Sequence, residues 1–149
     1  MGKRPVVPSQ IVREYTYAYT AACPKDGTTV SLILPDMSTV CLNVFLKELS
    51  SRHPDEHLGL VMDGAGSHKA LDLQIPDNIS IIHLPPYSPE LNPVENFWKA
   101  LKKEGFYNRV FSNMTEVENL LESKLKHFED HPNSVRSIVA YDWILSALI

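Results

Sequence analysis

Two carboxylates stand out by their setting. Asp63 closes a short apolar run, Leu58 to Met62, and Glu95 falls in the first turn of a helix that follows Asn92 and Pro93. One acid at a strand's carboxyl end and one on a helix is a usual way for a fold to hold a hard divalent cation. Each has a plainer role as well. Asp63 meets Gly64-Ala65-Gly66 and can bond backbone N–H groups of a turn. Glu95 lies three residues after a good capping asparagine, where an acid is favoured by the helix dipole and can reach back to the cap. His68 follows Asp63 by five residues, and a lone loop histidine is ordinarily a surface residue. Lys99, Lys102 and Lys103 follow Glu95 as a solvated helix face or as contacts to phosphates. There is no Ser-His-Asp signature and no glycine-rich phosphate loop.

The elements that must position these residues are readable from periodicity. Ile11 to Ala22 has the Tyr, Thr and Val content of a strand, Pro24-Lys25-Asp26-Gly27 reads as a hairpin turn, and Thr28 to Leu34 returns. Ser38 or Thr39 caps a helix whose Cys41, Leu42, Phe45, Leu46 and Leu49 form one apolar stripe ending near Ser51. Leu58 to Met62 and Ile79 to Leu84 are short apolar runs, continuous rather than alternating, as doubly covered strands are. After Pro93, residues Val94, Phe97, Trp98 and Leu101 recur at i, i+3, i+4 and i+7, and Glu95 projects about a quarter turn from that stripe, beside Lys99 and Lys102. Thr115-Glu116-Val117-Glu118 suggests a capping box opening a helix with Val117, Leu120, Leu121, Leu125 and Phe128 inward. A last helix from about Ser134 places Val135, Ile138, Val139 and Trp143 inward. The order strand, hairpin, helix, strand, strand, helix predicts an α/β fold, a mixed sheet flanked by helices.

Length and composition set bounds. At 149 residues, with 44% hydrophobic and 21% charged residues, the sequence predicts one domain, residues 1–149, with a single substantial core. No apolar run reaches the ~20 residues of a membrane helix, and Cys23 and Cys41 show no metal spacing, so a cytoplasmic protein with reduced thiols is expected. A formal net charge of −4 argues against a free-standing, high-affinity DNA binder.

The wording of two segments goes further. Val61-Met62-Asp63-Gly64-Ala65-Gly66-Ser67-His68 and the run from Leu84 to Trp98, Leu-Pro-Pro-Tyr-Ser-Pro-Glu-Leu-Asn-Pro-Val-Glu-Asn-Phe-Trp, closely resemble the DDE transposases of bacterial insertion sequences related to the mariner elements. The resemblance extends from Gly2 to about Gly105. It implies a ribonuclease H-like catalytic domain in which three acids bind two magnesium (or manganese) ions and cut and join DNA at transposon ends. Asp63 matches the second acid and Glu95 the third, with His68 beside the site, able to contact a phosphate or order Asp63. The first acid belongs to the first strand, which in relatives precedes a segment like Gly2-Lys3-Arg4-Pro5. The expectation is therefore a sheet lacking its first strand and a chain that binds magnesium weakly. Such a chain is inactive alone and depends on an upstream transposase segment or on self-association. The alternative is a non-enzymatic remnant that binds DNA or transposase subunits. Glu14, Asp26 and Asp36 are the upstream candidates to replace the first acid, and Glu14, which begins the first surviving strand, is the best placed of them.

Overall fold

The computed structural model describes residues 16–62, 72–85, 91–106 and 110–141. They form β1 (Tyr17–Ala22), β2 (Thr29–Leu34), α1 (Thr39–Arg52), β3 (Leu58–Met62), β4 (Ile79–His83), α2 (Val94–Gly105), α3 (Met114–Asp130) and α4 (Pro132–Val139). The fold is mixed α/β.

The strands pair as two separate units. β1 and β2 form an antiparallel hairpin in which Tyr17 faces Leu34 and Ala22 faces Thr29. β3 and β4 run parallel, from Leu58 beside Ile79 to Met62 beside His83. Among the described residues no ladder joins one pair to the other. The hairpin turns where expected. Cys23 N–H donates to Thr28 O at 2.9 Å and Gly27 N–H to Cys23 O at 2.8 Å. Gly27 has φ of 79°, a left-handed conformation in which a side chain is strained.

One helix covers a face of both units. Ser38 caps α1 by accepting from Cys41 N–H at 3.2 Å, and the stripe Cys41, Leu42, Phe45, Leu46 and Leu49 is buried as its spacing predicts. These side chains share a core with Tyr19 and Val30 of the hairpin and with Leu60, Met62 and Ile79 of the parallel pair. The Tyr19 and Phe45 rings lie 5.6 Å apart. The parallel strands differ from the doubly covered reading. Leu60 and Met62 are buried, but Gly59 is exposed, Val61 half-buried and Ile82 53% exposed, because no described helix lies against that face.

A second core gathers the other helices. Val94, Phe97, Trp98 and Leu101 of α2 meet Val117, Leu121, Leu125 and Phe128 of α3, Val135 and Val139 of α4, and Ala18 on the opposite face of the hairpin. Phe97 packs on Phe128 with ring centres 5.0 Å apart. The start of α3 is corrected by its hydrogen bonds. Asn113, not Thr115, is the cap, accepting from Glu116 N–H at 3.0 Å, while the Glu116 carboxylate reaches back to Ser112 N–H at 2.9 Å. Leu120 is only half-buried. α4 begins at Pro132 rather than near Ser134, Ile138 is half-buried, and Trp143 lies outside the described residues.

Candidate functional site

The described part of the site is the opening of α2. Asn92 is 4% exposed. Its side-chain oxygen accepts from Val94 N–H at 3.2 Å, and its carbonyl accepts from Glu95 N–H at 3.1 Å. The helix is assigned from Val94, with Pro93 in the α region at φ −62° and ψ −19°, one residue later than the sequence suggests. Asn92 nonetheless does the capping, so the first two donors of the helix are satisfied without the Glu95 carboxylate. Pro93 has no N–H to satisfy and already holds a helical φ.

The register of α2 decides what Glu95 can do. Phe97, Trp98 and Leu101 are buried, which anchors one stripe of the helix in the second core. Glu95 is half-buried at the margin of that stripe, Lys99 and Lys103 are exposed and Lys102 is half-buried. Lys99 and Lys102 lie four and seven residues after Glu95, so the three side chains share one side of the helix. A half-buried carboxylate one turn from ammonium groups suits a site that takes a cation on its acid and a phosphate on its lysines. Glu95 is the described member of the expected donor set. Its hard oxygens fit magnesium or manganese better than a softer ion. Asp63 and His68 lie outside the described residues, as does Glu14.

The two described alternatives to a first acid are engaged in turns. Asp26 accepts from Thr28 N–H at 2.9 Å at the hairpin tip, and that bond holds its carboxyl below the ordinary value. Asp36 accepts from Ser38 N–H at 2.9 Å just before α1, and hydrogen bonding from Ser38 lowers it likewise. Both carboxylates act as turn formers. Among the described residues no group of three or more His, Cys, Asp or Glu is arranged to hold a metal ion.

Two features around this site have no counterpart in the sequence reading. Asn96, the neighbour of Glu95, donates from its side-chain amide to the Tyr141 hydroxyl at 2.6 Å, tying α2 to the chain beyond α4. The Asn92 side-chain N–H and the Trp98 indole N–H are buried with no hydrogen-bond partner among the described residues, two donors within the same helix opening. No local pattern announces either feature.

Comparison with known proteins bears on the same residues. Residues 1–118 match the family model described as DDE superfamily endonuclease, a span that includes Asp63, His68 and Glu95. An uncharacterized protein of Sinorhizobium fredii, y4pE/y4sA, is 34% identical over 130 residues, covering 87% of this chain and 96% of that protein. No solved structure matches. Among the described residues no helix is long and apolar enough to cross a membrane.

Proposed function

Because this chain belongs to the DDE superfamily of endonucleases, we propose that it is the catalytic domain of an insertion-sequence transposase of mariner-like type, acting on transposon-end DNA in the cytoplasm. The family match, whose span of residues 1–118 includes Asp63 and Glu95, is the observation that carries this reading. Asp63 and Glu95 hold divalent metal, Lys99, Lys102 and Lys103 meet DNA phosphates, and His68 orders Asp63 or contacts the scissile phosphate. Magnesium or manganese bound there supplies the positive charge that activates a water or 3′-hydroxyl and stabilises the leaving oxygen. The chain's own contribution is to fix Glu95 through the buried stripe of α2 and to exclude water beneath it.

The domain is ribonuclease H-like, and a strand outside the described residues, carrying the first acid, completes it between β1 and β3. Support for this comes from the strand pairing. β1 and β3 contribute to one core under α1, yet each is paired on one side only among the described residues. Backbone N–H and C=O groups inside a core call for partners, and a strand seated between β1 and β3 would supply them.

A cleavage assay on supercoiled plasmid bearing the element's ends, with magnesium or manganese, tests the reading. The chain alone is expected to leave the plasmid intact and to bind magnesium no more tightly than about millimolar, as weak hard-cation sites do. Fusion to the upstream segment is expected to start cleavage, and Asp63→Asn or Glu95→Gln is expected to abolish it. Strong cleavage by the chain alone, lost in Asp63→Asn, would overturn the account of the absent acid. No cleavage even after fusion would leave a non-enzymatic remnant that binds DNA or transposase subunits.

A further inference from the structure

We propose that His127 and His131 form a two-histidine site for a borderline transition-metal dication of the zinc, nickel and copper class. It is built from residues that the carboxylate chemistry does not use. His127 lies in the last turn of α3 and His131 caps that helix. Their rings stack with centres 4.2 Å apart at 27°, and both residues are exposed. His131 Nδ1 lies 2.7 Å from the His127 carbonyl oxygen. A carbonyl oxygen only accepts, so Nδ1 carries the proton and the neutral ring presents a bare lone pair on Nε2. Metal-ligating histidines are oriented in this way, the second ring nitrogen donating to a backbone carbonyl that fixes tautomer and direction.

The backbone that carries His131 is held from several sides. Its N–H donates to Phe128 O at 3.1 Å, and its carbonyl accepts from Ser134 N–H at 3.0 Å and Val135 N–H at 3.3 Å. The hairpin tip abuts the next residue so closely that a Cβ on Gly27 would lie 1.8 Å from Pro132 O. One ligand is thereby preorganised. The second stands four residues earlier in the last turn of α3, and the non-helical cap conformation of His131, at φ −128° and ψ 65°, carries its ring back onto that of His127. With a metal–nitrogen distance of about 2.0–2.1 Å, two imidazoles bound at right angles place their ring centres roughly 4.5 Å apart. The observed separation is already close to that. Opening the stack requires only a turn about the terminal torsion of His127, which is broad and soft. Imidazole nitrogen selects this metal class over magnesium and calcium. The remaining coordination positions fall to water.

Titration of the whole chain with Ni2+ in excess Mg2+, followed by calorimetry and by the imidazole NMR signals, tests the site. One ion per chain is expected, shifting the His127 and His131 signals together. His127→Ala and His131→Ala are each expected to weaken binding about ten-fold or more, since a chelate becomes a single ligand. Both positions are exposed, and alanine favours the helix at 127, so the variants stay folded, which thermal melting verifies. His53→Ala and His57→Ala serve as controls and are expected to leave the affinity unchanged. Unchanged affinity in both the 127 and 131 variants would overturn the proposal, as would binding that is lost only in Asp63→Asn or Glu95→Gln.

Discussion

Asn78 ties the end of α1 to the entry of β4. Its side-chain N–H groups donate to the carbonyls of Ser50, His53 and Glu56 at 3.3, 2.9 and 3.3 Å, and its side-chain oxygen accepts from the Ser50 hydroxyl. Ser50 O and His53 O each also accept a backbone N–H, from His53 at 3.2 Å and Glu56 at 3.3 Å, so Asn78→Ala removes second bonds from these two and the Asn78 bond from Glu56 O, and is expected to lower stability by about 1–2 kcal/mol in urea unfolding. Asn92 sets up a contrast. Its oxygen caps α2 while its N–H is buried without a partner among the described residues. Asn92→Ser keeps an acceptor for the cap and replaces the fixed amide donors by one rotatable hydroxyl, so stability is expected to change by less than about 1 kcal/mol. If metal-dependent cleavage in the fused protein falls far more than stability does, the spare N–H serves the site. Three further groups make stability depend on pH. Asp26 and Asp36 are lowered from 3.8 by hydrogen bonds from Thr28 and Ser38. Their contribution is present above the unfolded value and is lost as pH falls through the lowered folded values. Asp36→Asn is therefore expected to flatten the acid limb of the stability curve. Burial is the main cause that raises the Tyr19 hydroxyl from 10.0 to about 12. That hydroxyl also donates to Asp36 O at 2.8 Å. Its contribution is complete below 10 and is lost as pH rises through about 12. Tyr19→Phe should remove that alkaline decline, read by thermal melting across the interval.

Elements differ in how far their residues announce them. α1 is legible throughout, since Ser38 caps it and every predicted stripe position from Cys41 to Leu49 is buried. The hairpin is legible because Gly27 is the one residue of its tip that takes a positive φ without strain. There the structure adds something that the turn alone does not suggest. Gly27 is pressed against Pro132, so Gly27→Ala meets both an unfavourable φ and a backbone clash. It is expected to cost about 3 kcal/mol or more and to loosen α4, measured by hydrogen exchange over Val135 and Val139. The start of α3 was ambiguous for a physical reason. Ser112, Asn113 and Thr115 are all capping residues, and the reach of Glu116 back to Ser112 N–H selects among them. For β3 the apolar composition was sufficient to mark the strand but not to reveal that Gly59 and Val61 have no described cover. Of the candidate site, the place of Glu95 in the first turn of α2 was legible from the stripe beside it. The Asn96–Tyr141 bond was not, because residues 45 apart in sequence leave no periodic signal.

At the scale of the molecule, α1 is what holds the two strand pairs in a common core. Each pair has its own ladder, and their shared apolar contacts run through Phe45, Leu46 and Leu49. Phe45 is fully buried, so Phe45→Ala is expected to cost about 3–5 kcal/mol. Its more telling effect is on cooperativity. Hydrogen exchange is expected to show β3–β4 opening at lower free energy than β1–β2, which has helices on both faces. Adding the proposed partner strand should narrow that difference and raise the melting temperature, because a partner that binds only the folded chain stabilises it. Equal protection of both pairs without that strand would contradict this view.

The contact of Gly27 with Pro132 bears on how the chain is made. The hairpin leaves the ribosome before α2, α3 and α4, yet Ala18 shares its core with residues of all three, which follow it by roughly a hundred residues. At about 5–20 residues per second, that face waits on the order of five to twenty seconds for its cover. Through that interval a nascent chain presents an apolar sheet surface with only α1 on the other side. Soluble yield in a heterologous host should therefore respond to the speed of translation between α1 and α4. Slow codons in that stretch prolong the exposure and favour aggregation, whereas the same codons upstream of the hairpin leave it unchanged.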